Sequence, residues 1–387
     1  RLFVVEDLSR DVIELLGNEL DIDPHFFRGH ISDYSWFNTR DKWVEIPELP
    51  SIAHSRNYFT LKWMQPRRFE NKEALTGART EAGRFNVLRR LDDDKNQKDE
   101  LDGKGTCFAC VRSKASFWFS PAEPGSTGPV GVLLIDPSIK QGAPLWAVNR
   151  RYDRAPSNRS RASHEPPPTD LFDKVVYWTQ RMSKEQIASI RENPKVMVHR
   201  MLQIICGDWL TLCDAYIPTR LAQVDWEFQN PDFSAYKKGS EASLAIKASL
   251  AKVFPWRRWI PGYKTMVTEA MAAVFSDENP TPRHDCIQDL RRDFKAVEAS
   301  IDTLQQRIDN IQSVAMASIN IEDSRQAMMQ NQYFGRLAYL AAIFAPLSFV
   351  SSLFSMSGDL SGIKGTVWLY FCVAVPLSLL GLLLVDW

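Results

Sequence analysis

Residues 337–354 read LAYLAAIFAPLSFVSSLF, and residues 367–385 read VWLYFCVAVPLSLLGLLLV. Neither stretch contains a charged residue, and each is about long enough to cross a hydrocarbon core of ~30 Å as an α-helix. Because only a short segment separates them, the two helices are predicted to run antiparallel, joined by a tight loop. The sequence therefore predicts a two-span helical hairpin that places the chain in a membrane.

A heptad pattern lies before the first apolar stretch. Its apolar residues alternate at spacings of three and four, which is typical of helix association. They are Ile287, Leu290, Phe294, Val297, Ile301, Leu304, Ile308 and Ile311. Pro280 and Pro282 mark the start of the helix, and no further Pro or Gly appears until Gly335. One long stalk helix is predicted, whose seam favours association of several copies around an axis. The alternative is that the seam packs against the soluble part of its own chain.

Composition and cysteine usage limit the possible partners. Lys plus Arg and Asp plus Glu are equal at 47 each, so net charge does not favour nucleic acid, and no nucleic-acid motif is present. The lone C-x-x-C of Cys107 and Cys110 lies in an alternating apolar stretch, which indicates strand residues rather than a zinc site. Cys206 and Cys213 share one helical face and are expected in a core. This cysteine usage fits a reducing compartment. Membrane lipid and other copies of the chain are the partners expected.

The orientation in the membrane is indicated by two features. No signal-like apolar stretch precedes the large soluble part. Arg325 and Arg336 lie before the first span, against Lys364 in the loop between the spans. The soluble part is therefore expected in the cytosol, with the loop on the far side.

The predicted fold class is an α+β cytosolic domain, with a mixed sheet and helices, followed by the stalk helix and the transmembrane hairpin. The predicted segments are 1–168, an N-terminal α/β domain that ends in a Pro-, Arg- and Ser-rich linker (149–168); 169–282, a helical region; 283–336, the stalk; 337–357, the first span; 358–366, an outer loop; and 367–387, the second span.

Within the soluble part, β-branched and aromatic runs predict strands and apolar periodicity predicts helices. Strands are predicted at Thr106–Val111, Ser116–Phe119 and Val130–Ile135, and helices at Asp7–Leu20, Thr80–Leu91, Lys195–Phe228, Glu241–Val253 and Tyr263–Phe275. The segment Pro255–Tyr263 is expected to interrupt the last two helices. Its Trp and Arg residues could rest on lipid headgroups or a neighbouring subunit; alternatively they form a hydrophobic corner with exposed arginines.

Sequence signatures of catalysis are absent. No phosphate-binding Gly-rich loop, Ser-centred elbow, H-E-x-x-H or kinase signature is present, so neither an enzyme nor a cofactor is predicted. Two acidic clusters are weak candidates for a divalent cation, and their residues are Asp92, Asp93, Asp94, Asp285 and Asp289. A solvated acidic loop and the preference of acidic residues for helix N-termini are the favoured explanations of these clusters.

A stripe of small residues runs down one face of the first span. Its members are Ala338, Ala341, Ala345, Ser348, Ser352 and Ser355, and it continues inward to Phe334 and Asn331. Small stripes serve close helix packing. Alternatively, several copies surround a water-filled path, with Phe334 as an apolar constriction. The second span carries Pro376, Ser378 and Gly381 and is predicted to be the outer, lipid-facing helix.

The stretch 339–357, YLAAIFAPLSFVSSLFSMS, resembles the first span of the CorA family of divalent cation transporters, and fungal CorA-like membrane proteins in particular. Residues 319–327 (INIEDSRQA) and 130–137 are similar to those fungal sequences as well. The resemblance implies a homopentamer with a cytosolic α/β domain, a pore-lining first span and an outer second span.

The chain departs from the family at the end of the first span. The family has Gly-Met-Asn there, whose Asn side chains ring the outer pore mouth, whereas this chain has Ser355, Met356 and Ser357. In the loop, Asp359 is offset by Lys364. The resemblance implies passive conduction of a metal cation, Mg²⁺ by default, which would be substrate or regulator rather than cofactor. The alternatives are a channel for a different cation or an anion, or a non-conducting membrane-anchored assembly that binds partners.

Overall fold

The computed structural model describes residues 1–32, 49–93, 105–120, 128–145, 170–229, 239–275, 286–355 and 363–386. The predicted linker at 149–168 lies outside the described residues, as does most of the predicted outer loop. The chain forms two compact units. Unit 1 comprises Arg1–Trp226 and Leu250–Ile311, and unit 2 comprises Glu227–Ser249 and Gln312–Trp387.

Unit 1 contains a six-stranded mixed sheet. Its strands are β1 (Leu2–Glu6), β2 (Tyr58–Phe69), β3 (Leu91–Asp93), β4 (Cys107–Phe119), β5 (Gly131–Ile135) and β6 (Ala143–Pro144). The order is β1-β5-β4-β2-β6, with β3 paired to β4. β1 and β5 are parallel, and the other pairs are antiparallel. The predicted mixed sheet with helices is confirmed.

In chain order, the first four described helices lie between strands, and the others follow β6. They are α1 (Arg10–Leu20), α2 (Pro24–Ile31), α3 (Pro50–Ser55), α4 (Lys72–Ala82), α5 (Leu171–Thr179), α6 (Lys184–Ser189), α7 (His199–Leu210), α8 (Ile217–Gln229), α9 (Gly239–Val274), α10 (Cys286–Ser355) and α11 (Ile363–Asp386). A 3₁₀ turn, Pro194–Val198, precedes α7, and a π-helical segment, Thr211–Tyr216, joins α7 to α8. The single predicted helix Lys195–Phe228 is therefore nearly continuous but changes its pitch three times.

Strand β4 is one long strand where two were predicted. Cys107 and Cys110 are buried strand residues, as expected. The polar residues between the two predicted strands do not break β4, because the ammonium of Lys114 is buried and bonded: its Nζ donates to the carbonyl oxygen of Gly29 at 3.0 Å and to the hydroxyl of Ser32 at 3.0 Å. A charged side chain with such partners is compatible with a strand interior.

The predicted helix Thr80–Leu91 is wrong in its bounds. Helix α4 begins earlier, because the side chain of Asn71 accepts a hydrogen bond from the backbone N–H of Ala74 at 2.7 Å and caps it. It ends at Ala82, with Gly83 as C-cap, and Leu91 already belongs to β3. The predicted helix at Asp7–Leu20 is observed as α1, with Ser9 as N-cap.

Helix α9 runs through both prolines where an interruption was predicted. Pro255 and Pro261 lie inside the helix. Each proline removes a backbone hydrogen bond, but Trp256, Ile260 and Tyr263 between and beside them are at most 2% exposed and bury one face in unit 1. The arginines of this segment are exposed. Within unit 1 the segment is therefore a buried apolar face with outward arginines.

The heptad seam of α10 packs inside its own chain. All eight seam residues are at most 5% exposed, and the ring of Phe294 lies 5.8 Å from that of Phe275 just after α9. An ion pair between Lys264 and Asp302 at 2.6 Å adds to this attachment. The prediction that this seam joins copies of the chain is wrong. Heptad spacing identifies the apolar face of a helix but not the origin of its partner.

Candidate functional site

Helix α11 packs closely against one face of the end of α10. The hydroxyl of Tyr370 donates to the carbonyl oxygen of Leu347 at 3.2 Å. The hydroxyl of Ser378 lies 3.5 Å from the carbonyl oxygen of Ile343. At Gly381 an added Cβ would lie 3.1 Å from the carbonyl oxygen of Ala342. Small residues of α11 therefore allow the two backbones to approach, which is how helices associate in lipid.

The small-residue stripe lies on the opposite face of α10. At 3.6 residues per turn, Ala341, Ala345, Ser348 and Ser352 point about half a turn away from the positions that meet α11. All members of the stripe are exposed in the chain: Ala338, Ala341, Ala345, Ser348, Ser352 and Ser355. The close packing within the chain uses the small residues of α11 instead, so the stripe is open to another partner or to water.

The inward continuation of the stripe is also exposed. The side chain of Phe334 is 65% exposed, and Asn331 is exposed on the same helix. Ser355 is the last residue of α10. Of the other predicted pore-mouth residues, Met356, Ser357 and Asp359 lie outside the described residues, and Lys364 belongs to the first turn of α11.

The role of α11 was only partly visible in the sequence. Ser378 and Gly381 were singled out, but as members of an outer helix rather than as contacts. Tyr370 and Ala374 complete the contacting face, at spacings of four, four and three, and Ala374 is fully buried. This spacing of small and aromatic residues is the signal that could have indicated the packed face.

The carboxylates that were weak metal candidates are distributed among other contacts. Asp92 accepts two hydrogen bonds from the guanidinium of Arg112, at 2.7 and 3.0 Å, and Asp93 pairs with Arg79 at 2.9 Å. Asp289 lies in the first described turn of α10. The other two candidates, Asp94 and Asp285, lie outside the described residues. Within the described part of the chain, no three His, Cys, Asp or Glu residues are grouped to hold a metal.

Unit 1 contains a buried polar network that resembles a Ser-His-Asp constellation. Nδ1 of His30 lies 3.1 Å from the hydroxyl of Ser116, and Nε2 lies 3.5 Å from Asp136. Burial, together with the charges of Arg89 and Lys114, lowers the pKa of His30 to about 3. His30 is therefore a poor proton acceptor near neutral pH, and the Ser116 hydroxyl is fully buried. The network stabilises the attachment of α2 to the sheet.

One helix in the described part of the chain is long and apolar enough to cross a membrane. It is the α10 segment Ile287–Leu353, which contains the predicted first span. The apolar part of α11, Val367–Leu383, is a shorter helix that falls below the length of that test. The second span therefore stays a prediction.

The comparison with protein families matches the C-terminal part of the chain. Residues 222–385 match the family model described as CorA-like Mg²⁺ transporter protein. The matched range includes all of α9, α10 and nearly all of α11. The predicted resemblance to the CorA family is confirmed over this range.

The comparison with solved structures finds a CorA protein as well. The complete structure of the CorA magnesium transporter from Methanocaldococcus jannaschii aligns over 99% of this chain and 89% of that chain, with a TM-score of 0.40 and 10% sequence identity. No curated protein matches the chain.

Proposed function

We propose that the protein is a membrane channel or transporter through which a divalent cation crosses passively, with Mg²⁺ as the default ion. The observation that carries the proposal is the exposed stripe of α10, which lies opposite the face packed by α11. The family match over residues 222–385 supports this proposal, because it covers both helices of the hairpin.

A path along the stripe requires several copies of the chain. One copy presents one helix face and encloses nothing. In unit 2, Val314, Ile321 and Met328 recur every seven residues, before the first span, and are 59%, 69% and 66% exposed. An exposed apolar repeat of this kind favours association with the same helix of another copy. We infer a homo-oligomer, and five copies is the number that the family resemblance implies.

The lining chemistry suits an ion that keeps its water. The hydroxyls of Ser348, Ser352 and Ser355 can hydrogen-bond a hydration shell, and residues 337–354 contain no charge that would bind an ion tightly. Mg²⁺ sheds its water reluctantly, so a path of small side chains favours its passage in hydrated form. At the inner end, a ring of Phe334 side chains would gate the path by excluding water. The second span and the cytosolic position of unit 1 belong to the same proposal.

The replacement of the family's Gly-Met-Asn by Ser355-Met356-Ser357 favours a second candidate: the same architecture with a different ion. A serine hydroxyl is shorter than an asparagine side chain and lacks its amide carbonyl. Without that acceptor ring, selection of Mg²⁺ over K⁺, or of cations over anions, must come from the rest of the path.

The test is electrical. The full-length protein is reconstituted in planar bilayers, and current is recorded under opposed MgCl₂ and KCl gradients. The proposal predicts a current that reverses near the Mg²⁺ equilibrium potential. Reversal near the K⁺ or Cl⁻ potential would support the second candidate. Sustained silence across voltages, from protein shown to be oligomeric in the bilayer, would contradict both candidates and favour a non-conducting assembly.

A further inference from the structure

The proline of the first span lies on the side of α10 that α11 covers. Among residues 337–353, the buried and half-buried positions are Ala342, Ile343, Pro346, Leu347 and Val350. Pro346 has no backbone N–H, so the carbonyl oxygen of Ala342, four residues earlier, loses its usual α-helical donor. In the hydrocarbon of a bilayer no water replaces that donor. The carbonyl that the proline leaves without its donor therefore lies on the side of α11 and not on the exposed stripe.

Helix α11 places a glycine and a hydroxyl against this turn of α10. An added Cβ at Gly381 would lie 3.1 Å from the carbonyl oxygen of Ala342, so only a glycine allows the two backbones to come this close. The hydroxyl of Ser378 is buried between the helices. It lies 2.9 Å from the carbonyl oxygen of Ala374 in its own helix and 3.5 Å from that of Ile343 in α10. Its single proton can therefore be donated within α11 or across to α10.

The hairpin contains a second proline in a different environment. Pro376 lies inside α11, and the carbonyl oxygen that it deprives of a donor belongs to Cys372. Both residues are exposed in the chain, whereas Pro346 is half-buried under α11. A proline in a spanning helix is tolerated where a neighbouring helix and its hydroxyl side chains serve the freed backbone groups. Of the two prolines, Pro346 is the one that has such a neighbour within the described residues.

We propose that Pro346 is a hinge in α10 and that α11 sets its angle, with Ser378 as the positioning residue. The hinge lies between the inner part of the stripe, which ends at Ala345, and the outer part, which begins at Ser348. Helices bend where a proline interrupts the hydrogen-bond ladder. The packing of α11 on this turn therefore fixes the direction of the outer serines relative to the inner alanines. The hinge itself is independent of transport, and its effect on an ion path rests on the proposed function.

The experiment is a double-mutant cycle on thermal unfolding of the full-length protein in detergent. We expect Ser378→Ala to lower the unfolding midpoint by about 1–2 °C, the effect of roughly one lost hydrogen bond. In a Pro346→Ala background the loss should fall to less than about half of that, because the new N–H restores the donor for Ala342 and the two sites are coupled. Pro376→Ala is the matched control, in which Ser378→Ala should keep its full effect. An equal loss in all three backgrounds would overturn the proposal.

Amide hydrogen exchange of the full-length protein in lipid nanodiscs locates the effect. In Ser378→Ala we expect the amides of residues 347–350 to exchange about fivefold faster, and those of the buried seam, 290–311, to be unchanged. Equal changes in the two segments, or none, would contradict a hinge at Pro346.

Current recording separates this inference from the proposed function. In a conducting protein, Ser378→Ala should shorten the open times and leave the reversal potential unchanged, because Ser378 is not on the stripe. Unchanged open times would contradict the positioning role of Ser378. A silent protein that still shows the coupling between Ser378 and Pro346 would contradict the proposed function and support the hinge.

Discussion

The two parts of helix α10 have the same kind of periodicity and opposite environments. From Ile287 to Ile311 its heptad seam is buried in unit 1 of the same chain. From Ala338 to Ser355, in unit 2, its stripe of small residues is exposed, and α11 covers the other side. Among the described residues, the apolar seam has a partner and the small stripe has none. Periodicity therefore identifies a face, and only the neighbouring elements decide whether that face serves folding or function.

The largest expected effect is on transport through the exposed stripe. Ser348→Trp would place a bulky side chain in the proposed path and lower Mg²⁺ flux in reconstituted vesicles by roughly tenfold or more. Leu353→Trp introduces the same side chain at an exposed position of the same helix, which lies about 100° or more around the helix from Ser348, Ser352 and Ser355, and should leave most of the flux. Equal fluxes in the two variants would remove the distinction between the faces.

The buried seam is tested by its effect on stability. Phe294→Ala empties a site that is 1% exposed and should lower the free energy of unfolding by about 3–5 kcal/mol. Phe334→Ala removes the same side chain where it is 65% exposed, and a change within about 0.5 kcal/mol is expected. Unfolding of the full-length protein in detergent measures both, and a similar loss in the two variants would contradict the contrast.

The packed face of α10 is tested at Gly381. Gly381→Val forces the added methyl groups against the carbonyl oxygen of Ala342, and overpacking of this kind costs about 1–3 kcal/mol. At Gly335 an added Cβ would meet nothing within 4 Å, so Gly335→Val is the matched control. Thermal unfolding in detergent should show a lower midpoint for Gly381→Val alone. A tolerated Gly381→Val would mean that α11 does not pack on α10 as described.

The smallest expected effect is a pH dependence that originates in unit 1. The pKa of His30 is lowered to about 3 in the folded chain, whereas the unfolded chain has the ordinary value of 6.5. The unfolded chain therefore takes up a proton below pH 6.5 that the folded chain refuses, so this contribution to stability is complete above pH 6.5. It is lost as the pH falls towards 3, by about 1.4 kcal/mol per pH unit.

Unfolding of the full-length protein between pH 7.5 and 5.5 measures the slope of the free energy of unfolding against pH. His25→Gln, at an exposed histidine, should keep it, and His30→Asn, which preserves an acceptor near Nδ1, should reduce it. An unchanged slope in His30→Asn would show that His30 does not cause the dependence.

Much of the fold followed from local patterns. The absence of Pro and Gly between Pro282 and Gly335 predicted the stalk part of α10, and β-branched and aromatic runs predicted β5 and both ends of β4. The helix also continues through Gly335 and Pro346 without a break. The failures had tertiary causes. Residues 112–115 separated two predicted strands, but the strand continues through them and the ammonium of Lys114 bonds to the end of α2. The segment with Pro255 and Pro261 was predicted to interrupt the helices, but α9 continues through it because its aromatic face is buried.

The stripe of small residues could be predicted from the sequence, but its exposure in the folded chain could not. The spacing from Ala338 to Ser355 is visible in the sequence, yet the side on which α11 packs depends on Tyr370, Ala374 and Gly381 meeting α10. The partners of Asp92 and Asp93 were equally invisible, because Arg112 and Arg79 are distant in sequence. Pairing between distant residues leaves no local periodic signal.

The most direct test of the central claim is the water accessibility of the two faces of α10. Cysteine is introduced at Ser352, on the stripe, or at Leu353, which is exposed but lies about 100° around the helix from Ser352 and away from the stripe. Both changes are made in a Cys372→Ala background first shown to be insensitive to a membrane-impermeant methanethiosulfonate reagent. The reagent is applied during current recording. We expect rapid, complete block in Ser352→Cys and little change in Leu353→Cys. Modification of Leu353→Cys alone, or of neither variant in a conducting protein, would contradict the assignment of the stripe to the ion path.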